Sequence, residues 1–213
     1  MVSMMGKERQ IAVVKDNSDK QVTYREQLGK YKRALNNEFY FEALLIVYAV
    51  LEDRMRSFLY YIGAVRRADS TKLNVSRTKS ILRRLYFGSD EEAEGKRIDL
   101  TQISAKQQLI ASTITWTLEY EGVPEESYLA ILKDQYESCL NMDSFLSTLD
   151  EINDWRDYRN EIIHGLLNKN VESINAELKE QVEKGMGYAR FVDSQVKALK
   201  RKDLIRKTMK IKR

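Results

Sequence analysis

EFYFEALLIVYAVLEDRMRSFLYYIGAV, residues 38–65, is the most apolar stretch of the chain and decides its fold class. Large side chains recur in it at steps of three and four residues, the spacing that places them on one face of an α-helix. The stripe consists of Phe41, Leu44, Leu45, Tyr48, Leu51, Glu52, Met55, Phe58, Leu59 and Ile62. We therefore predict one long helix at the centre of the core, closed by Gly63 and Arg66-Arg67.

Helical spacing also marks the segments on either side of this central helix. A capping-box spacing at Thr23 and Glu26 predicts a helix start at Tyr24, and Asp143 is a predicted cap of a later helix. The further predicted helices cover residues 24–35, 75–87, 101–120, 124–140, 144–167 and 171–199, the last one loosened at Gly185 and Gly187. No segment alternates apolar and polar residues as a strand does, so the sequence predicts an all-α antiparallel bundle.

The length and charge distribution predict a single domain with two extensions. A chain of 213 residues is long enough for one sizeable core. We predict a mobile N-terminal arm over residues 1–22, a helical domain over 23–200 and a basic C-terminal tail over 201–213. The net charge is +4, but residues 197–213 alone carry nine basic residues against Asp203, which leaves residues 1–196 mildly acidic.

The composition disfavours several kinds of site. The chain has one cysteine and one histidine, which allow no intramolecular disulfide and no cysteine zinc cluster, so we expect neither a metal nor another cofactor. No apolar run approaches the length of a membrane span, and the N-terminus lacks the layout of a signal peptide. We therefore expect a cytoplasmic protein without a membrane partner.

The stretch WRDYRNEIIHG, residues 155–165, contains the single histidine. On a helix, Asn160 and His164 share one face, and Arg156 lies one turn earlier on the same stripe. Arg159 lies on the flank of that stripe, from which its long side chain can reach toward the imidazole. A cation with five donors, an amide and an imidazole are the groups needed to hold and cleave a phosphodiester.

The arrangement Arg159-Asn160-x-x-x-His164 resembles the signature of the HEPN superfamily, in which a polar residue follows an arginine and a histidine lies four to six residues after it. The motif covers six residues, and the helical pattern agrees loosely along most of the chain. The resemblance implies a metal-independent endoribonuclease of a toxin, anti-phage or stress-response system. Arg159 would then contact the phosphate, His164 would act as general acid or base, and Asn160 would orient the imidazole or bind a phosphate oxygen.

The resemblance also implies partners. RNA would be the substrate, and a homodimer would place two motif helices across a two-fold axis, which suits a reaction with two proton transfers and one histidine per chain. An antitoxin or another protein partner is a further expectation. In many toxin members a tyrosine that the antitoxin modifies lies two residues after the histidine, whereas this chain has Leu166 there, so control by that modification is not expected.

Some residues have two interpretations on sequence alone. Glu52 could pair with Arg159 and hold it in place, or pair with Arg56 one helical turn later. Arg156 is predicted to bind substrate phosphate, and a basic patch could come from the arginines at positions 54, 56, 66 and 67. His164 could equally be a helix-end residue that is favourable near the last carbonyls.

Two other function classes therefore stay open beside the ribonuclease. One is a non-catalytic helical module that binds nucleotide, RNA or a protein partner, and the other is a structural helical oligomer. The basic tail could bind RNA phosphates, form the solvated end of the last helix or lie on a membrane surface. We favour a helix end that also attracts nucleic acid.

Overall fold

The computed structural model describes residues 17–165, 168 and 170–211. Within these residues all regular structure is helical, which confirms the prediction of an all-α helical bundle. The helices are α1 (Asn17–Asn36), α2 (Tyr40–Tyr61), α3 (Ser76–Phe87), α4 (Asp90–Ala93), α5 (Ile103–Glu119), α6 (Ser127–Glu137), α7 (Met142–His164), α8 (Val171–Lys202) and α9 (Leu204–Thr208).

Helix α2 lies at the centre of the core, as its apolar stripe predicts. It packs along α8 and also contacts α1 and α5. Its fully buried side chains include Leu44, Val47, Leu51, Met55 and Phe58. Burying one such side chain contributes roughly 1.5–3 kcal/mol, so this face alone is a large part of the stability of the fold.

One member of the predicted stripe lies outside the core. Leu45 is 47% exposed, whereas Val47, which the prediction omitted, is fully buried. The buried face of α2 is centred on positions 44, 47 and 51, and Leu45 follows Leu44 by about 100° around the helix axis.

A close contact joins α2, α7 and α8 around Trp155. The indole stacks against Tyr48 with ring centroids 6.4 Å apart, and its N–H donates to the Gln181 carbonyl over 2.9 Å. A Cβ atom at Gly185 would lie 2.9 Å from Trp155 Cε2 and 2.8 Å from Val47 Cγ1. Gly185 is therefore a packing residue inside a continuous α8, and the expectation that the glycines loosen this helix is wrong.

Several predicted helix boundaries differ from the observed ones. Helix α1 begins at Asn17, so residues 17–22 are helical and do not belong to an arm. The rest of the predicted arm, residues 1–16, lies outside the described residues. The α7 cap is Asn141, whose side-chain oxygen accepts from the Ser144 N–H over 3.3 Å, and not Asp143. Helix α6 begins three residues after Pro124, which precedes it in a loop.

The predicted basic tail is in part a core element. Ile205 of α9 is fully buried, and Arg206 is only 6% exposed. The Arg206 guanidinium donates to the carbonyls of Tyr60, Val65 and Ile211 at 3.0–3.1 Å and lies over the Tyr60 ring. The expectation of a solvated helix end is therefore wrong for Ile205 and Arg206, because the isoleucine packs in the core and the arginine donates to backbone carbonyls of α2, of the following loop and of the C-terminal segment.

None of the described helices combines the length and the apolar character that crossing a membrane requires.

Candidate functional site

The Arg159-Asn160-His164 motif occupies the last two turns of α7. Ile152, Trp155 and Ile162 on the same helix are buried, and they dock α7 on the bundle. Asn160 is half-buried, and His164 is exposed as the last residue of the helix. The motif therefore lies at the border between the core and the surface.

Arg159 is held between two neighbours. Its guanidinium carbon lies 4.2 Å from the centroid of the Tyr48 ring on α2, and Nη2 donates to Asn160 Oδ1. Burial lowers the pKa of the guanidinium, as does the charge of Arg156, while Tyr48 acts in the opposite direction. A cation stacked on a half-buried aromatic ring is stabilised by about 0.5–2 kcal/mol, so Arg159 is restrained without an acidic partner among the described residues.

Asn160 has a role that sequence reasoning missed. The sequence predicted that its amide orients the imidazole or binds a phosphate oxygen, whereas in the structure its carbonyl oxygen accepts from Arg159. Its amide nitrogen is a donor that this contact does not use. Adjacent residues on a helix are about 100° apart, so periodicity gave no signal for this contact.

Arg156 is held by residues of its own helix. Its Nη2 donates to Asn153 Oδ1 over 2.7 Å and to Asp157 Oδ1 over 3.2 Å, and the side chain is only 15% exposed. The Asp157 carboxylate offsets its charge. The prediction that Arg156 binds substrate phosphate stays a prediction, and such binding would compete with this ion pair.

Glu52 pairs with Arg56 and not with Arg159. Its Oε1 accepts from Arg56 Nη2 over 2.6 Å and from Lys106 Nζ over 2.9 Å. Burial alone would raise the pKa of Glu52, but Lys106 and Arg56 outweigh it and hold the pKa below its ordinary value. Of the two sequence interpretations, the structure therefore supports the one with Arg56.

Lys106 is a fully buried cation that sequence reasoning did not select. It is 0% exposed, and it also donates to the Thr101 carbonyl over 3.1 Å. Burial lowers the pKa of its ammonium group. Lys106 lies three residues after Ile103 and three before Leu109, within the apolar stripe of α5, and this spacing could have indicated that its side chain faces the core.

Ion pairs neutralise most of the predicted basic patch. Arg54 donates to Asp193 over 3.0 Å and also pairs with Asp53, while Arg67 pairs with Asp69 over 2.7 Å. Helix α7 itself carries six carboxylates, at positions 143, 150, 151, 154, 157 and 161. Against these six carboxylates, the arginines of α7 are Arg156, which is paired with Asp157, and the motif residue Arg159.

Among the described residues, no three His, Cys, Asp or Glu side chains group together as a metal ion would require. Comparisons of the chain with protein-family models, with curated proteins and with solved structures gave no significant match.

Proposed function

We propose that this chain is a metal-independent endoribonuclease of the HEPN type that cleaves RNA at a composite site formed by two copies of the chain. The observation that carries the proposal is the motif geometry at the end of α7, where Arg159 is restrained and His164 is exposed. A toxin, anti-phage or stress-response setting, a cytoplasmic location and an antitoxin or other protein partner belong to the same proposal.

The chemistry follows from the groups that the motif contains. The RNA 2′-oxygen attacks the adjacent phosphorus while the P–O5′ bond breaks. A general base takes the 2′-hydroxyl proton, and a general acid gives a proton to the leaving 5′-oxygen. The products are a 2′,3′-cyclic phosphate and a 5′-hydroxyl. His164 supplies an imidazole for proton transfer, and it is exposed to an incoming strand.

Arg159 suits the charge that develops on phosphorus. A guanidinium matches two phosphate oxygens at once, and the negative charge on the pentacovalent intermediate is larger than on the substrate. Because Tyr48 and Asn160 already restrain the side chain, less conformational entropy is lost when it binds phosphate. This restraint supports a positioned cation at the site.

A dimer supplies the second imidazole. One chain has one histidine, while the reaction transfers a proton at two oxygens. Two copies related by a two-fold axis through the ends of their α7 helices would bring two motifs to one cleft.

The first experiment measures cleavage of a labelled single-stranded RNA in EDTA by the wild type and by two variants, His164→Ala and Arg159→Ala. We expect products with cyclic-phosphate ends and a loss of about 10²- to 10⁴-fold in rate for His164→Ala. Arg25→Ala, an exposed arginine on α1, is the matched control and should leave the rate unchanged. Cleavage that survives in His164→Ala would contradict the proposal.

A second experiment tests the composite site. Wild-type and His164→Ala chains are mixed in equal amounts, unfolded together and refolded so that dimers form at random. If one site needs both histidines, about a quarter of the wild-type activity should remain, because only wild-type pairs are complete. Activity in proportion to the wild-type chains, about half, would show that each chain acts alone.

One observation favours a non-catalytic binding module as the second candidate. The carboxylates of α7 outnumber its basic residues, and Arg156 is already paired with Asp157. Repulsion of phosphate by this face would weaken RNA binding. If no RNA in a broad panel is cut while the wild type still binds RNA, nucleotide or a protein partner, this second candidate replaces the first.

A further inference from the structure

A surface cleft of about 300 Å³ lies between α7 and α8 and contains none of the motif residues. Three carboxylates line it: Asp154 on α7, and Glu177 and Glu180 on α8. Lys184 is the one basic side chain among the described residues of the lining, and these residues together carry a net charge of −2. A negative cleft of this size suits a small cation.

The cleft also holds a buried acceptor without a donor. Gln181 lines the cleft and is only 6% exposed, and among the described residues its Oε1 has no hydrogen-bond partner. The Glu177 carboxylate hydrogen-bonds with the Tyr158 hydroxyl, and its Oε2 is buried without a partner among the described residues. The Gln181 backbone carbonyl accepts from the Trp155 indole, so the position of this residue is fixed independently of its side chain. Buried acceptors favour a ligand that brings N–H donors.

The third feature of the cleft is an aromatic ring. Tyr158 lines the cleft and is 39% exposed. Burial raises the pKa of its hydroxyl, Glu177 raises it further through its charge and a hydrogen bond, and the charges of Glu161 and Glu180 act in the same direction. The face of a tyrosine ring attracts ammonium and guanidinium groups. Although three carboxylates line the cleft, no three His, Cys, Asp or Glu side chains of the described residues are grouped so that they could hold a metal ion, and the lining therefore fits an organic cation better.

We propose that this cleft binds an organic cation consisting of an alkyl chain that ends in a primary ammonium group. The ammonium donates to the Gln181 and Glu177 oxygens, and the alkyl chain lies against Tyr158. A free polyamine and a lysine side chain of another protein share this chemistry. The inference is independent of the proposed ribonuclease, because the cleft uses neither Arg159 nor His164.

The test is isothermal titration of the full chain at fixed ionic strength, with spermidine as one probe and a short lysine-containing peptide as the other. We expect Glu177→Gln to weaken the binding by about tenfold, since a hydrogen bond to a charged group is lost. Gln181→Leu should also weaken it by several-fold, while retaining the backbone carbonyl that Trp155 uses. Lys184→Gln should strengthen it by about threefold, because it removes a competing charge.

The matched control is Glu183→Gln. Glu183 lies on the same helix and is exposed, but it does not line the cleft, and the substitution makes the same change in net charge. It should change the affinity by less than about twofold. His164→Ala should bind both probes like the wild type even if it cleaves no RNA, which separates this inference from the proposed function.

Each outcome bears on the proposal. Binding of spermidine alone identifies a free polyamine, and binding of the peptide alone identifies a protein lysine; both results support the cleft as an ammonium site. Equal weakening by Glu183→Gln and Glu177→Gln would reduce the binding to general charge attraction and overturn the proposal. The proposal would also be overturned if magnesium chloride at the same ionic strength competed with spermidine as strongly as the peptide does. Failure of both probes to bind would overturn it as well. If Gln181→Leu does not fold, the two surface substitutions at Glu177 and Lys184 still decide the question.

Discussion

Replacing Gly185 with alanine should loosen the junction that positions the motif helix. A Cβ atom there would lie 2.8 Å from Val47 Cγ1 and 2.9 Å from Trp155 Cε2, closer than real Cβ contacts allow. Neither neighbour is the free end of a flexible side chain, since Val47 is β-branched on α2 and the indole is clamped by its hydrogen bond to Gln181. The helices must therefore move apart.

The expected magnitude follows from two opposing terms. Alanine is favoured over glycine inside a helix by about 1 kcal/mol. Overpacking a tight core costs about 1–3 kcal/mol, and the two rigid neighbours place this site near 3 kcal/mol. We expect Gly185→Ala to lower the free energy of unfolding by about 2 kcal/mol, which corresponds to a decrease in Tm of about 4–8 °C for a chain of this size.

Gly187 offers a matched control on the same helix. It is exposed, and a Cβ atom there would have no neighbour within 4 Å. Gly187→Ala should therefore raise the free energy of unfolding by up to about 1 kcal/mol, from helix propensity alone. The assay is thermal and urea unfolding followed by circular dichroism, with tryptophan fluorescence as a second signal. Equal stabilisation by both substitutions would refute the close packing of Gly185 against Trp155.

Three further substitutions test the two buried cations, Lys106 and Arg206. Glu52→Gln should destabilise the fold by about 3 kcal/mol at neutral pH, because it leaves Lys106 buried without its carboxylate, whereas Lys106→Met should cost less than about 1 kcal/mol. Since the pKa of Glu52 is lowered in the folded chain, its contribution is complete above about pH 4.5 and is lost as the pH falls through the folded value. Urea unfolding between about pH 5 and pH 3 should therefore show a steeper loss for the wild type than for Glu52→Gln, and parallel curves would contradict this pairing. Arg206→Lys should lower the free energy of unfolding by about 2 kcal/mol, because an ammonium group cannot reach three carbonyls in a planar arrangement. The control is Lys207→Ala, at an exposed residue of the same helix. Equal Tm values for the two variants would contradict the buried role of the arginine.

The prediction of helices succeeded where one face of a segment is buried along its whole length. The stripe on α2 and the buried face of α7 follow from a spacing of 3.6 residues per turn, which is a local property of the chain. The prediction was wrong at the ends. The Thr23–Glu26 spacing suggested a start at Tyr24, but α1 begins at Asn17, because a capping-box spacing can also occur inside a helix.

The C-terminal segment shows a different limit. Its many basic residues suggested a solvated tail, yet Ile205 and Arg206 are buried. A high content of basic residues predicts that a segment as a whole is solvated, but it does not predict the environment of each residue in it. A single arginine becomes a core residue when backbone carbonyls from other elements converge on it, and no pattern within the segment indicates that convergence.

Helical spacing was enough to predict the fold class and to place Asn160 and His164 on one face of a helix. Both depend on neighbours three or four residues apart, whose relative positions are set by helix geometry. The packing of the helices was needed to show that Arg159 stacks on Tyr48, that Lys106 is the buried partner of Glu52 and that an acidic cleft lies between α7 and α8. Those contacts join residues that are far apart in the chain, so they exist only after the helices pack, and packing is governed by the shapes of whole buried faces.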